Sequence, residues 1–200
     1  MKGTRNLTLL IVGGIVLILF VWGCGGYNGL VKQDDAVKNK WNDVQSSYQR
    51  RADLIPNLVA TVKGAAEFEK ETYTQVALAR AGQLKQAVNV PVDSLNTQRM
   101  QQIQRASKDA MDAARMAINV AVERYPDLKA TGNFSNLQTQ LEGTENRINV
   151  ARNDFNGSVN TYNTKVRSFP TNIFARIMGF KPRSGFAAEA GSEKAPEVKF

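Results

Sequence analysis

From Phe134 to Phe169 a side chain suited to a packed interior returns every three or four positions: Phe134, Leu137, Leu141, Thr144, Ile148, Ala151, Phe155, Ser158 or Val159, Tyr162, Val166 and Phe169. A helix gathers that set on one face, whereas a strand would scatter it over both. The spacing is heptad-like and holds for about five repeats, with Thr144 as its one polar exception. Such a stripe is stable only against other helices, so this segment alone commits the chain to helix-on-helix packing.

Three further segments share the pattern. Tyr27, Leu30, Val37, Trp41, Val44 and Tyr48 form the first. Ile55, Leu58, Val59, Val62, Ala65, Ala66, Val76 and Ala79 form the second, which ends before Val88-Asn-Val-Pro91. A third begins near Asp93, a plausible N-cap, and runs to Glu123 with Ile103, Ala106, Ala110, Ala114, Ala117 and Ala121 as its stripe. Those small residues let a neighbouring helix approach closely. Between the first two segments, Tyr48-Gln-Arg-Arg-Ala-Asp-Leu-Ile-Pro-Asn-Leu-Val59 reads as a corner. Asp53 caps the next helix and Pro56 is tolerated in its first turn, where an amide has no intrahelical partner. Pro91, Pro126, Gly132 and Pro170 punctuate the rest, and no stretch sustains the alternation of a strand. The expected fold is all-α: an elongated antiparallel bundle of about four long helices, a rod, preceded by an N-terminal membrane segment. The corresponding boundaries are 1–26 for the membrane segment, 27–183 for the bundle with a short C-terminal amphipathic helix, and 184–200 for a flexible tail.

Lys2 and Arg5 precede an apolar run from Leu7 to Trp22, followed by Gly23-Cys-Gly-Gly26 and Tyr27. To Trp22 the run spans roughly 24 Å as a helix, and through Tyr27 about 30 Å, the thickness of a bilayer core. Trp22 and Tyr27 then fall where interfacial aromatics belong. A second reading stands beside this single-pass anchor. Val21-Trp-Gly-Cys24 resembles a lipobox, in which Cys24 is lipidated and becomes the new N-terminus; Gly23 fits that pattern and Trp22 is bulky for it. The basic residues ahead of the run favour an N-terminus inside and a domain outside the cytoplasm, and a lipoprotein requires that orientation.

Several ordered motifs resemble the LemA family, a bacterial group, over nearly everything after the anchor. The corner at Tyr48–Val59 with Thr61-Val-Lys-Gly64 carries the likeness first. Tyr27-Asn-Gly-Leu-Val31, Trp41-Asn-Asp-Val44, Tyr125-Pro-Asp-Leu-Lys-Ala130, Asn133-Phe134 and Leu141-Glu-Gly-Thr-Glu-Asn-Arg-Ile148 extend it. Ala151-Arg152, Asp154-Phe-Asn156, Tyr162-Asn163, Phe169-Pro170, Gly179-Phe180 and Val198-Lys-Phe200 complete it. One departure is Gly64-Ala-Ala-Glu-Phe-Glu69, where family members often carry an aromatic and a histidine. The resemblance implies a membrane-associated helical protein of largely unassigned role. It also implies relatives linked to membrane-organelle formation, and genes often near membrane proteases or small repair-phosphatase-like domains.

The chain has no histidine, which removes the commonest metal ligand and the usual general base near neutral pH. No nucleophile elbow, phosphate-binding loop or dinucleotide fingerprint occurs, so no catalytic residue and no cofactor are expected. Glu67, Glu69 and Glu71 splay around a helix and read as a solvated face. Arg50, Arg51 and Asp53 can meet Glu142, Glu145 and Arg147 in an ionic network, either fixing helix register or docking a partner. Asn146, Asn156 and Asn163 read as inter-helix hydrogen-bonding groups. From Phe155 to Ala188 there is no acidic residue, while Ile173, Phe174, Ile177, Met178 and Phe180 alternate with Arg176 and Lys181. That short amphipathic segment suits capping of the bundle end, or contact with an anionic membrane or a partner. The net charge of +8 favours a membrane surface over nucleic acid, which calls for denser basic clusters or a recognisable module. The functional expectation is a membrane-anchored, non-enzymatic envelope scaffold or interaction module. Its expected partners are the membrane and an unidentified envelope protein, a membrane protease among the candidates; the alanine-rich third segment suits either packing within one chain or pairing with a second copy. The alternative is an accessory or substrate-presenting subunit of a membrane protease or envelope-stress system.

Overall fold

The computed structural model describes residues 2–65 and 72–187. Among them the regular structure is entirely helical: α1 (Lys2–Ala65), α2 (Thr72–Val88), α3 (Thr97–Arg124), α4 (Gly132–Arg167) and α5 (Thr171–Ile177), with 3-10 turns at Val92–Ser94 and Pro126–Ala130. The expected all-α bundle is what forms.

The corner at residues 48–64 does not. α1 continues through it with Pro56 inside the helix. A proline in a helix interior costs about 3 kcal/mol. Here the buried stripe Val37, Trp41, Val44, Tyr48, Arg51, Ile55, Leu58, Val62 crosses the proline in phase. Each fully buried Ile or Leu contributes about 1.5–3 kcal/mol, so two turns of core outweigh one missing amide. Asp53 is accordingly not a cap; it lies exposed on α1 and pairs with Lys85 of α2 at 3.0 Å.

The chain divides into two compact units. One comprises Met1–Asn39 with Gly157–Arg183. Its interior holds Leu30 and Val37 of α1, Val159, Tyr162 and Val166 of α4, and Ala175 of α5. Gly29 lets the Lys165 side chain of α4 pass closely: a Cβ there would lie 3.1 Å from Lys165 Cε. Two residues past the end of α5, Gly179 takes a φ of +80°, which suits a residue without a Cβ, and the Phe180 amide donates back to the Ala175 carbonyl at 2.9 Å.

The second unit comprises Lys40–Asn156 with Ser184–Phe200. Four helices build it. Lys40 pairs with Asp154 and Arg51 with Glu145, so α1 and α4 run antiparallel. Asp53 pairs with Lys85 while the Gln45 amide reaches the Val88 carbonyl at 2.7 Å, so α1 and α2 are antiparallel too. The Trp41 indole donates to the Val90 carbonyl at 2.9 Å, and together these two side chains satisfy acceptors at the end of α2. α3 starts later than Asp93: Asn96 is its N-cap and accepts from the Arg99 amide at 2.8 Å, because the Val92–Ser94 turn and extended Leu95 come first. On α2 the buried residues are Thr74, Ala77, Ala81, Leu84 and Val88, whereas Val76 and Ala79 face out. The expected stripe ran as one set from Ile55 to Ala79, and the buried face of α2 follows a different register. Trp41, Phe155 and Phe186 form an aromatic cluster with centroids 5.6–6.3 Å apart. The looseness expected after Gly185 therefore does not extend to Phe186, which is buried.

Ala66, Glu67, Glu69 and Glu71 lie outside the described residues, as does the tail from Ala188. No helix among the described residues is long and apolar enough to cross a membrane. The backbone of Leu7–Trp22 belongs to α1, but most of its side chains, with that of Cys24, lie outside that description.

Candidate functional site

Two places gather the residues singled out in the sequence. In the second unit, Arg51 takes a stripe position three residues after Tyr48, so its helix carries it into the interior, where it is 2% exposed. Its guanidinium is met from two sides. Nε donates to Thr144 Oγ1 at 3.0 Å and Nη1 to Ser107 Oγ at 2.6 Å. Nη2 donates to Glu145 Oε2 at 2.6 Å, a charge-assisted bond to a carboxylate that is half exposed. The Thr144 hydroxyl donates to the Leu141 carbonyl, which leaves its lone pairs for the arginine. A cavity of about 170 Å³ adjoins the group, bordered by Lys108, Asp112 and Arg115 of α3.

Of the expected network, then, Arg51 and Glu145 come together. Arg50 lies outside on α1 with a long 3.5 Å contact to Gln140, Asp53 goes to Lys85, and Glu142 and Arg147 are exposed. Burial removes Arg51 from any docking surface. Ser107 and Thr144 were not foreseen as partners. The signal was present for Thr144, a hydroxyl on an otherwise apolar stripe, whereas Ser107 lies beside Ala106, which the expected stripe used in its place. Among the described residues no group of three or more His, Cys, Asp or Glu gathers to hold a metal.

Asn156 and Asn163 do bond, but to the extended C-terminal segment rather than to another helix. Asn163 gives its amide to the Arg183 carbonyl and accepts from the Arg183 N–H, both at 2.8 Å. Asn156 brackets Phe186 in the same way, at 3.0 and 2.7 Å. Asn146 is exposed. Arg183 also clamps Asp34, with Nη2 at 2.7 Å and Nε at 3.1 Å from Oδ1. Burial of Asp34 raises its pKa, but hydrogen bonds and charge from Lys38 and Arg183 outweigh that and hold the carboxyl below its usual range.

The other place is the α5 region of the first unit. Thr171 and Ala175 turn inward. Phe174, half-buried, reaches Gly23, where an added Cβ would lie 2.9 Å from Phe174 Cε1. Phe180 meets Tyr27 edge to face with centroids 6.0 Å apart. Ile173 and Ile177 face out at 51% and 72% exposure, with Met178 at 57% and Phe169, the last member of the α4 seam, at 79%. Arg176 and Lys181 are exposed beside them and, with Arg167, Asn172 and Phe180, line an open cavity of about 380 Å³.

Three relatives show what this chain is similar to in sequence. The chain is 25% identical to Protein LemA of Metamycoplasma hominis over 82% of its own length and 68% of that protein's. It is 26% identical to Magnetosome protein MamQ 2 of Paramagnetospirillum magneticum and 27% identical to Magnetosome protein MamQ of Magnetospirillum gryphiswaldense. Each of those matches covers 78% of this chain but only 62% of the magnetosome protein. The LemA family model matches residues 40–200, and on that match the chain belongs to the LemA family.

Proposed function

We propose that this protein is a membrane-anchored, non-enzymatic helical module that acts by binding other envelope proteins, with its helical domain outside the cytoplasm. The observation that carries the reading is the continuity of α1 from Lys2 to Ala65. The apolar run Leu7–Trp22 and the core-forming stretch Leu30–Val62 belong to one helix. Leu10 and Ile11 on that run are 73% and 55% exposed, a surface suited to lipid. Lys2 and Arg5 ahead of it favour that orientation, though Lys32, Lys38 and Lys40 follow on the other side. The buried charge in the bundle is engaged by other helices, which supports a packing role over chemistry. Relatives named as magnetosome proteins agree with work at a membrane. The partner is an envelope protein, with a membrane protease among the candidates.

The test is the intact mass of the protein extracted from native membranes, beside a Cys24→Ser version. An unmodified full-length chain supports the single-pass form. A chain beginning at Cys24 with added acyl mass supports the lipid-anchored form. Recovery in the soluble fraction without membrane lipid overturns both. Crosslinking in intact membranes then tests the partner, and reversal of the exposed Arg50 leaves the buried network intact.

A further inference from the structure

We infer that α5 and the turn before it form a foot that rests on an anionic bilayer, with Phe169, Ile173, Ile177 and Met178 seated between headgroups and acyl chains. The inference rests on the anchored reading above and adds a second, reversible contact with the same membrane. Ile173 and Ile177 lie one turn apart on the outer face of α5, and all four apolar side chains are at least half exposed. An apolar face of that kind is satisfied by a protein partner or by the outer few ångströms of a bilayer.

Charge selects the bilayer. No Asp or Glu occurs from Phe155 to Ala188, while exposed Lys165, Arg167, Arg176 and Lys181 lie along the same stretch. Three of these cations border the open cavity beside α5, which has room for a phosphate-bearing headgroup next to the apolar face. Position selects it again. Phe174 packs on Gly23 and Phe180 on Tyr27, the residues that immediately follow the apolar run. With the Leu7–Trp22 helix as the anchor, this point of the chain lies at the bilayer surface. A helix fastened there meets lipid before it meets any other partner.

The test uses the full-length chain with Cys24→Ser and Ile177→Cys, the new thiol carrying a nitrobenzoxadiazole fluorophore. The protein is reconstituted into phosphatidylcholine–phosphatidylglycerol vesicles, with and without brominated acyl chains, and washed with alkaline carbonate. Retention on the vesicles, blue-shifted emission and several-fold quenching by brominated lipid support the inference. Adding Arg176→Glu and Lys181→Glu is expected to remove most of that quenching while the protein stays inserted. An inserted protein whose probe emits as in water overturns the inference and leaves the anchor standing. Blue-shifted emission without quenching means that protein, such as a second copy, covers the face, and also overturns it. Loss of the protein in the carbonate wash defeats the single-pass form of the anchored reading and this inference with it.

Discussion

Arg51 holds a full positive charge where almost no water reaches it, so its three acceptors have to be in place together. Glu145→Gln keeps the shape but weakens the one charged bond, and is expected to cost about 1–3 kcal/mol in chemical denaturation. Arg51→Ala should cost more, because a cavity adds to the orphaned hydroxyls, and Arg51→Met should recover part of the difference by filling the space. A fully stable Arg51→Ala protein would show that the network is ornamental. Asp34 makes a pH-dependent contribution of known sign. Its folded pKa lies below the unfolded value of about 3.9, so its stabilisation is present above that pH and is lost as the pH falls through the folded value. Asp34→Asn should therefore be less stable at pH 7 and should lose less stability between pH 7 and pH 3 than the parent in urea titrations. At this scale the sequence was half legible. Thr144 stood out as polar in an apolar seam, and Arg51 and Glu145 stood among six residues expected to share one ionic network, of which these two meet. Ser107 was hidden in an alanine stripe, because a lone hydroxyl announces nothing until the helix opposite supplies its donor.

Elements were read well where large side chains dominate a stripe, although Phe169, expected to close the α4 seam, lies past the helix and is exposed. α4 buries Phe134, Leu141, Ile148, Phe155 and Tyr162 as the seam demands. They were misread where a local rule competed with a sum. The rule that proline ends a helix weighs one residue, whereas the fate of residues 48–64 was settled by Tyr48, Ile55, Leu58 and Val62 together. Pro56→Ala tests that account. It restores an amide worth up to about 3 kcal/mol in a helix interior and gives up at most about 1 kcal/mol of unfolded-chain entropy. A net gain of about 1–2 kcal/mol is expected, seen as a higher Tm. A lower Tm would mean that the pyrrolidine ring packs in a way alanine cannot replace. The start of α3 was missed for a related reason. Asp93 and Asn96 are both good caps, and the chain uses the one whose carbonyl can accept from Met100.

For the whole molecule, the order in which the chain is made meets the order in which it can close. Asp154 follows Lys40 by 114 residues, and Glu145 follows Arg51 by 94. At about 5–20 residues per second, Arg51 waits roughly 5–20 s for its carboxylate after leaving the ribosome. α2 and α3 are neighbours in sequence and can pair early, since a short loop costs little entropy to close. α1 cannot be completed that way: Trp41 and Tyr48 stay partly uncovered until α4 arrives. On the anchored reading, the first third of the protein is already committed to a membrane while its apolar stripe is still open to whatever lies nearby. The last long helix among the described residues is thus the one that ends the chain's vulnerability to mispairing, and a protein stalled before Gly132 would be an aggregation hazard rather than a shorter version of the same fold.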